Sequence, residues 1–418
     1  MQDSKLRQIA LLATLLVPLG LLHAFVLTEI CIAVTDVLFL IHCLTTRDFS
    51  WVRRGWVKIA LLWWVWLLLC STPLPWPGFG SAGWQMGFVQ AFVVIRLILF
   101  TAALQDWVLT TPQSRRVAAV MISLSALWIG IEAWQQYLTG RNIFGDPRWG
   151  DGSLTGPFWK PRAGALYAHL LYPAMLPTVA ALLGSSRRTR YFQGLALAVA
   201  GIVTAVLIGQ RMGVVLAVVG LAVAFIYLPR LRFPAAIAAM AAAAFLLATP
   251  ILSPATHRKL VGETDRNMSH FSQSPYGELY TRGTVMGLQS PWHGWGYNGF
   301  REDCPQPRFD GGLPALHIPP TQLGLGACNL HPHNYYIQSF TDAGLPGLVL
   351  FMLLAIWWLK DLAAGLWCHR SPRQISVLAG VATFLWPIGS TDEFPTLYIL
   401  GWFFFLLGLG LALKREND

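Results

Sequence analysis

The chain has 418 residues, of which 55% are hydrophobic and only 12% charged, with 19 Trp and 23 Phe. A soluble protein carries roughly a quarter of its residues as charges, so a soluble enzyme with surface helices, a disordered chain and a disulfide-stapled secreted domain are all excluded. The net charge of +10 comes from 30 basic and 20 acidic residues. Such a balance can mark a nucleic-acid binder, but positive charge at the ends of membrane helices is a topology signal first, and no nucleic-acid partner is expected.

Apolar windows long enough to cross a bilayer recur along the whole length. In chain order they are 8–22, 25–44, 57–72, 84–109, 117–137, 163–183, 191–209, 212–228, 233–252, 335–359, 375–391 and 396–413. The expectation is an all-α polytopic membrane protein of about twelve spans, with residues 1–418 forming a single integral membrane domain. Met1–Leu22 has no small-residue cleavage site and reads as an uncleaved first span. With a cytoplasmic N-terminus, 18 of the 30 basic residues fall on the inner side, among them Arg53, Arg54, Arg187, Arg188, Arg190 and Arg373. The short connections 73–83 and 392–395 carry no Lys or Arg. This asymmetry orients both termini inward.

Two outer segments exceed simple connectors. Residues 138–162 hold Arg141, Arg148, Lys160 and Arg162 among Gly, Pro and Trp. Residues 253–334 form a large loop rich in aromatic, Gly and His patches instead of low complexity, so an ordered loop is expected there. Cys31, Cys43, Cys70 and Cys368 read as small buried hydrophobes in or near spans. Cys304 and Cys328 share the large loop, where an oxidising compartment allows a disulfide.

The residues available for chemistry are few. There is no CxxC, no HExxH and no DxD pair to hold a divalent ion on a diphosphate. A diphosphate handled here needs arginines, which offer a permanent charge and bidentate donors to phosphate oxygens. Arg211, in Ile208-Gly209-Gln210-Arg211-Met212-Gly213, sits where one span turns into the next. Alone it fits equally an arginine snorkelling to headgroups. Arg282 precedes a short amphipathic stretch, 283–290, that runs into Ser290-Pro291-Trp292-His293-Gly294-Trp295-Gly296-Tyr297-Asn298-Gly299-Phe300. That stretch lacks the spacing of a nucleotide loop and reads as a tight turn packing aromatics beneath a cavity. His331-Pro332-His333-Asn334 opens the span 335–359 and supplies imidazoles suited to proton transfer.

Taken in order, these motifs resemble the O-antigen ligase and polymerase superfamily of bacterial envelope glycosyltransferases. The pattern includes Ala343-Gly344-Leu345-Pro346-Gly347 and, upstream, Gly156-Pro157-Phe158-Trp159-Lys160-Pro161. The resemblance implies a GT-C-like helical membrane transferase of the inner membrane with its site on the periplasmic face. It implies an undecaprenyl-diphosphate-linked glycan as donor, lipid A–core as acceptor, and a metal-independent, inverting reaction without cofactor. His333, Arg211 and Arg282 match the family's catalytic residues. Lys160, Arg162, His331 and Asn334 are the accompanying candidates for binding diphosphate or substrate. Where the family often has a His-Pro-Asn-like element, this chain reads Trp159-Lys160-Pro161-Arg162. An O-antigen polymerase or a protein O-oligosaccharyltransferase shares the pattern. A transporter or lipid flippase is the reading from another class, prompted by Glu29, Asp36, Arg96, Asp106 and Glu132 in or near spans.

Overall fold

The computed structural model describes residues 2–74, 84–320, 328–389, 394 and 396–414. Most of the connections 73–83 and 392–395, and Arg415, lie outside the described residues. The described chain is helical, and its bridges of β type are the isolated pairs Arg141–Pro147 and Leu313–Ile318.

In order, the helices are α1 Gln2–His23, α2 Phe25–Thr46, α3 Gly55–Cys70, α4 Trp84–Val93, α5 Ile95–Ala103, α6 Pro112–Thr139, α7 Ala163–Leu183, α8 Arg188–Ile208, α9 Arg211–Tyr227 and α10 Arg232–Leu252. The long loop contributes α11 Pro254–His257, α12 Glu263–Ser269, α13 Pro275–Gln289 and α14 Gly299–Asp303. After it come α15 Tyr335–Ala363, α16 Leu366–His369, α17 Pro372–Phe384 and α18 Leu397–Lys414.

Nine helical segments among the described residues are long and apolar enough to cross a membrane. The chain is a polytopic all-α membrane protein. Helices stand at each of the twelve expected positions, but α3 and α9 have 16 and 17 residues and α17 only 13. The window 84–109 is compound: α4 and α5 are followed by a wide turn, Leu104–Val108. That turn presents Asp106 to Arg54 in an ion pair and the Gln105 amide oxygen to the Trp56 indole N–H at 3.0 Å. Arg96 pairs with Glu29 at 2.9 Å, and the buried Glu132 carboxylate accepts the Ile143 N–H at 2.9 Å. These span charges are thus engaged in helix-to-helix and helix-to-loop contacts, as charges inside a bilayer must be.

Burial sorts the helices. The apolar stretch of α18 is 89% buried, whereas that of α10 is 17% buried. A helix apolar all round sits in the core, so α18 forms the centre and α10 an outer wall facing lipid. In α7, Pro173 removes the N–H that would meet the His169 carbonyl. Gly380 of α17 closes on that site: a Cβ there would stand 2.7 Å from the Pro173 ring and 3.0 Å from the His169 oxygen.

The span expected at 335–359 is broken. Gly344 has φ 65 and ψ −166, a conformation open only to glycine, and Pro346 follows. The break strips the carbonyls of residues 341–343 of their helical partners, and the aromatic segment after α13 supplies replacements. Trp295 N donates to Thr341 O (2.8 Å), Gly296 N to Asp342 O (2.9 Å) and the Trp66 indole to Ala343 O (2.8 Å), while Leu345 N donates to Pro291 O (2.6 Å). Ser290–Phe300 is therefore a strap mated to a broken helix; Tyr297 and Phe300 are buried as expected, but Trp292 is exposed. The loop has its own apolar core of Leu279, Val285, Met286, Phe300, Cys304 and Phe309. Cys304 and Cys328 are joined by a disulfide across this core.

Candidate functional site

Arg211 is placed by two glycines and a cap. Gly209 ends α8 at φ 78, the left-handed turn that glycine permits. Gly213 lets α9 lie against α7, since a Cβ on it would stand 2.7 Å from the Gly164 oxygen. Between them the Gln210 amide oxygen accepts from Gly164 N (2.9 Å) and Ala165 N (3.3 Å), binding the start of α9 to the start of α7. Arg211 then reaches into the long loop. Its Nη1 donates to the Glu263 carbonyl at 3.3 Å, and the Asn267 amide, turned so that its oxygen faces the guanidinium, accepts at 2.5 and 3.2 Å.

The other basic candidates upstream gather at the same end of α7. Arg162 precedes α7 and stacks over Tyr398 of α18 at 3.7 Å, and Lys160 lies over the exposed Trp159 at 4.4 Å. The segment 140–162 is pinned by the buried Gln136, whose amide donates to the Pro147 carbonyl and the Thr155 hydroxyl, both at 2.9 Å. Leu154 N bonds the Ile208 carbonyl (2.9 Å), which fastens this segment to the end of α8.

Sequence reasoning missed the network around Arg211. Lys259 bridges Asp151 (2.8 Å) and Glu263 (2.9 Å), tying the segment before α7 to the loop segment that holds Arg211. Burial works against the Asp151 carboxylate, but Lys259 and two bonds from Ser153 outweigh it and hold the group below its usual range. The i,i+4 spacing of Lys259 and Glu263 was a legible signal; the partner Asp151, over a hundred residues away, was not.

The histidines form a second grouping. His331 is buried, and its ring meets that of the half-buried His333 at 4.2 Å between centroids. His333 has φ 53 in the left-handed region, a strained backbone for a non-glycine residue at the mouth of a helix. Tyr276 packs edge-on against the His333 ring (5.5 Å), the Tyr280 hydroxyl donates to the His333 carbonyl (3.4 Å), and Asn329 Nδ2 lies 3.2 Å from His333 Nε2. Burial, then His333, then Arg301 push the His331 imidazole down to about 3, so it is neutral at physiological pH. Asn334 is the N-cap of α15: its side-chain oxygen accepts from Tyr336 N (3.0 Å) and Ile337 N (3.1 Å), and its amide donates to Pro387 O (2.6 Å). Asn334, expected to bind substrate, thus caps α15 and holds the segment at Pro387.

Arg282 departs most from expectation. The helix carrying it begins at 275, not 283, because Ser274 caps it and Pro275 takes its first position. Arg282 is fully buried, donates to the Cys304 carbonyl and pairs with Asp310. It faces the loop core, while Tyr276 and Tyr280 of the same helix face His333. Among the described residues no group of three His, Cys, Asp or Glu side chains is arranged to hold a metal ion.

The fold and these groupings define a polytopic membrane protein with arginine and histidine groups gathered around the described parts of one long loop, 253–320 and 328–334. Residues 196–352, a little over a third of the chain, match the family model of the O-antigen ligases, so over that segment the chain is similar to this family. The matched segment contains Arg211, Arg282, His331, His333 and Asn334, and leaves Lys160 and Arg162 outside. A comparison with curated proteins found no match.

Proposed function

We propose that this protein transfers O-antigen glycan from undecaprenyl diphosphate to a sugar hydroxyl of lipid A–core. The observation that carries the reading is His333, a half-buried imidazole held on a left-handed backbone within the family-matched segment. A neutral imidazole there accepts the proton of the acceptor hydroxyl as its oxygen bonds the anomeric carbon. The bond from that carbon to the diphosphate breaks on the opposite face, which inverts the configuration. Negative charge grows on the departing diphosphate, and Arg211, at the N-terminal end of α9, stabilises it. Lys160 and Arg162 add cationic surface at the start of α7, and the loop 253–334 serves as a lid. Arg282 supports this lid from within. In vitro transfer from lipid-linked glycan, with lipid A–core and free glycan offered as separate acceptors, tests the reading. Product on lipid A–core supports it, and chain extension of the glycan alone replaces it with a polymerase.

The reaction needs no metal in this reading, because arginines meet the charge and nearby acids are engaged: Asp151 and Glu263 with Lys259, Asp310 with Arg282. Transfer is expected to continue at full rate in excess EDTA. Loss with chelator and recovery with magnesium would show that a cation carries the diphosphate.

In this reading the protein lies in the inner membrane with both termini cytoplasmic and the loop periplasmic. Cys368 is exposed on α16, and Gln273 is exposed in the loop. In intact cells a membrane-impermeant maleimide is expected to label Gln273→Cys and to reach Cys368 only after the membrane is opened. The opposite pattern inverts the topology and moves the site to the wrong compartment.

A further inference from the structure

We propose that the groove between α7, α8, α9 and α10 holds an acyl chain of an anionic phospholipid, with the lipid's phosphate at the arginines of the groove's mouth. This site is separate from the one proposed for glycan transfer and does not rest on it. The groove has about 550 Å³ of empty space and is partly open, a size usual for a ligand pocket. α7 lays one stripe along it at every fourth residue, Leu171, Met175, Val179 and Leu183, and Ala198 of α8 and Ala235 of α10 face the same space with only methyl groups. Side chains this short leave the space unfilled. The hydroxyl of Tyr172 in this wall is already bonded to the Ala217 carbonyl. A groove of this lining suits a hydrocarbon chain, and α10, the least buried of the spans, puts it at the lipid boundary.

The mouth of the groove marks the lipid as anionic. Leu183 ends α7 and Leu231 just precedes α10, so the groove runs out at the end of α7 remote from Arg211. Gly194 draws α8 against that end, since a Cβ there would stand 2.9 Å from Leu182 Cβ and 3.0 Å from Leu183 Cγ. Arg190 lies one helical turn further out on α8, and Arg230 adjoins Leu231 on the other lip. Both are exposed, as are Arg187, Arg188 and Arg232. Arg232 Nε donates to the Phe225 carbonyl at 3.1 Å and Arg188 lies over the Phe192 ring at 5.5 Å. None of the five pairs with an acid among the described residues, and the stretches 184–193 and 228–235 contain no Asp or Glu. Guanidinium groups without a counter-ion at the end of a hydrocarbon groove match a phosphodiester head of net negative charge. Orientation of the chain requires arginines at these helix ends but no groove, and a groove for a neutral lipid requires no arginines. An anionic phospholipid uses both. In the orientation proposed above it sits in the inner leaflet, across the membrane from the loop and Arg211.

The test uses purified full-length protein in detergent, with bound lipid counted by native mass spectrometry. Dioleoyl phosphatidylglycerol is the anionic probe, dioleoyl phosphatidylcholine the zwitterionic one with the same tails, and glycerophosphoglycerol the head without tails. Wild type is expected to prefer phosphatidylglycerol over phosphatidylcholine by about tenfold or more at low ionic strength. Raising the ammonium acetate concentration is expected to erase most of that preference, and the tail-less head is expected not to be retained. The double variant Arg190→Gln with Arg230→Gln is expected to lose most of the preference and bind phosphatidylcholine as wild type does. Ala235→Leu, which fills the groove, is expected to weaken binding of both lipids. Equal binding of the two lipids by wild type overturns the proposal without recourse to any variant. A preference untouched by the arginine pair overturns it as well, as does lipid binding untouched by Ala235→Leu. Retention of the tail-less head as firmly as the whole lipid removes the groove from the site and overturns it too.

Discussion

Replacing His333 with Ala is expected to lower glycan transfer by about a hundredfold or more, the loss typical of a removed general base. The variant remains folded in the membrane, because the ring is only half-buried and its side-chain neighbours, Tyr276, Asn329 and His331, are held by their own elements. His331→Ala is expected to be milder in rate. His331 is buried and neutral far below physiological pH, so it orients its neighbour without exchanging a proton. Arg211→Ala removes the cation from the leaving diphosphate, and Arg211→Lys restores only part of the rate, since a point charge lacks the planar fork. The measurement is transfer from lipid-linked glycan at matched membrane levels. Full activity in His333→Ala removes the proton-transfer role, and full activity in Arg211→Ala removes the guanidinium from the diphosphate.

Arg282→Ala is expected to act on the loop itself before it acts on the chemistry. Removing the guanidinium strips the buried Cys304 carbonyl of its donor and leaves Asp310 without its cation. Breaking one side of a buried ion pair costs about 3–5 kcal/mol. The lower end applies here, because the Asp310 side chain is 40% exposed and can hydrate. The loss falls on the core of Leu279, Met286, Phe300 and Phe309, so the Cys304–Cys328 bridge becomes easier to reduce and the loop easier to cleave. Limited proteolysis of wild type and Arg282→Ala, with and without reductant, reads this directly. A variant that resists protease like wild type yet has lost diphosphate binding would return Arg282 to the substrate.

The sequence by itself determined the class and the framework. Each of the twelve apolar windows became helical, though 84–109 is compound and 335–359 is broken, because a bilayer leaves the backbone of a single segment few other ways to satisfy its polar groups. The order of motifs from Arg211 to Gly347 also pointed to the family whose model matches residues 196–352, since residue identity and spacing survive in the linear chain. Windowed hydropathy could not see that α15 breaks at Gly344, because an average over the span smooths out the few residues, Asp342, Gly344 and Pro346, that mark the break. Nor could it see that Ser290–Phe300 fills that break, since the two partners are some fifty residues apart and meet through backbone hydrogen bonds that any sequence can make. The division of labour among the arginines was equally hidden. Arg211 and Arg282 carry the same charge on paper. Only packing turned Arg282 into the loop core and tied Arg211 to Asn267 and Glu263, because burial and partners decide what a charge can bind.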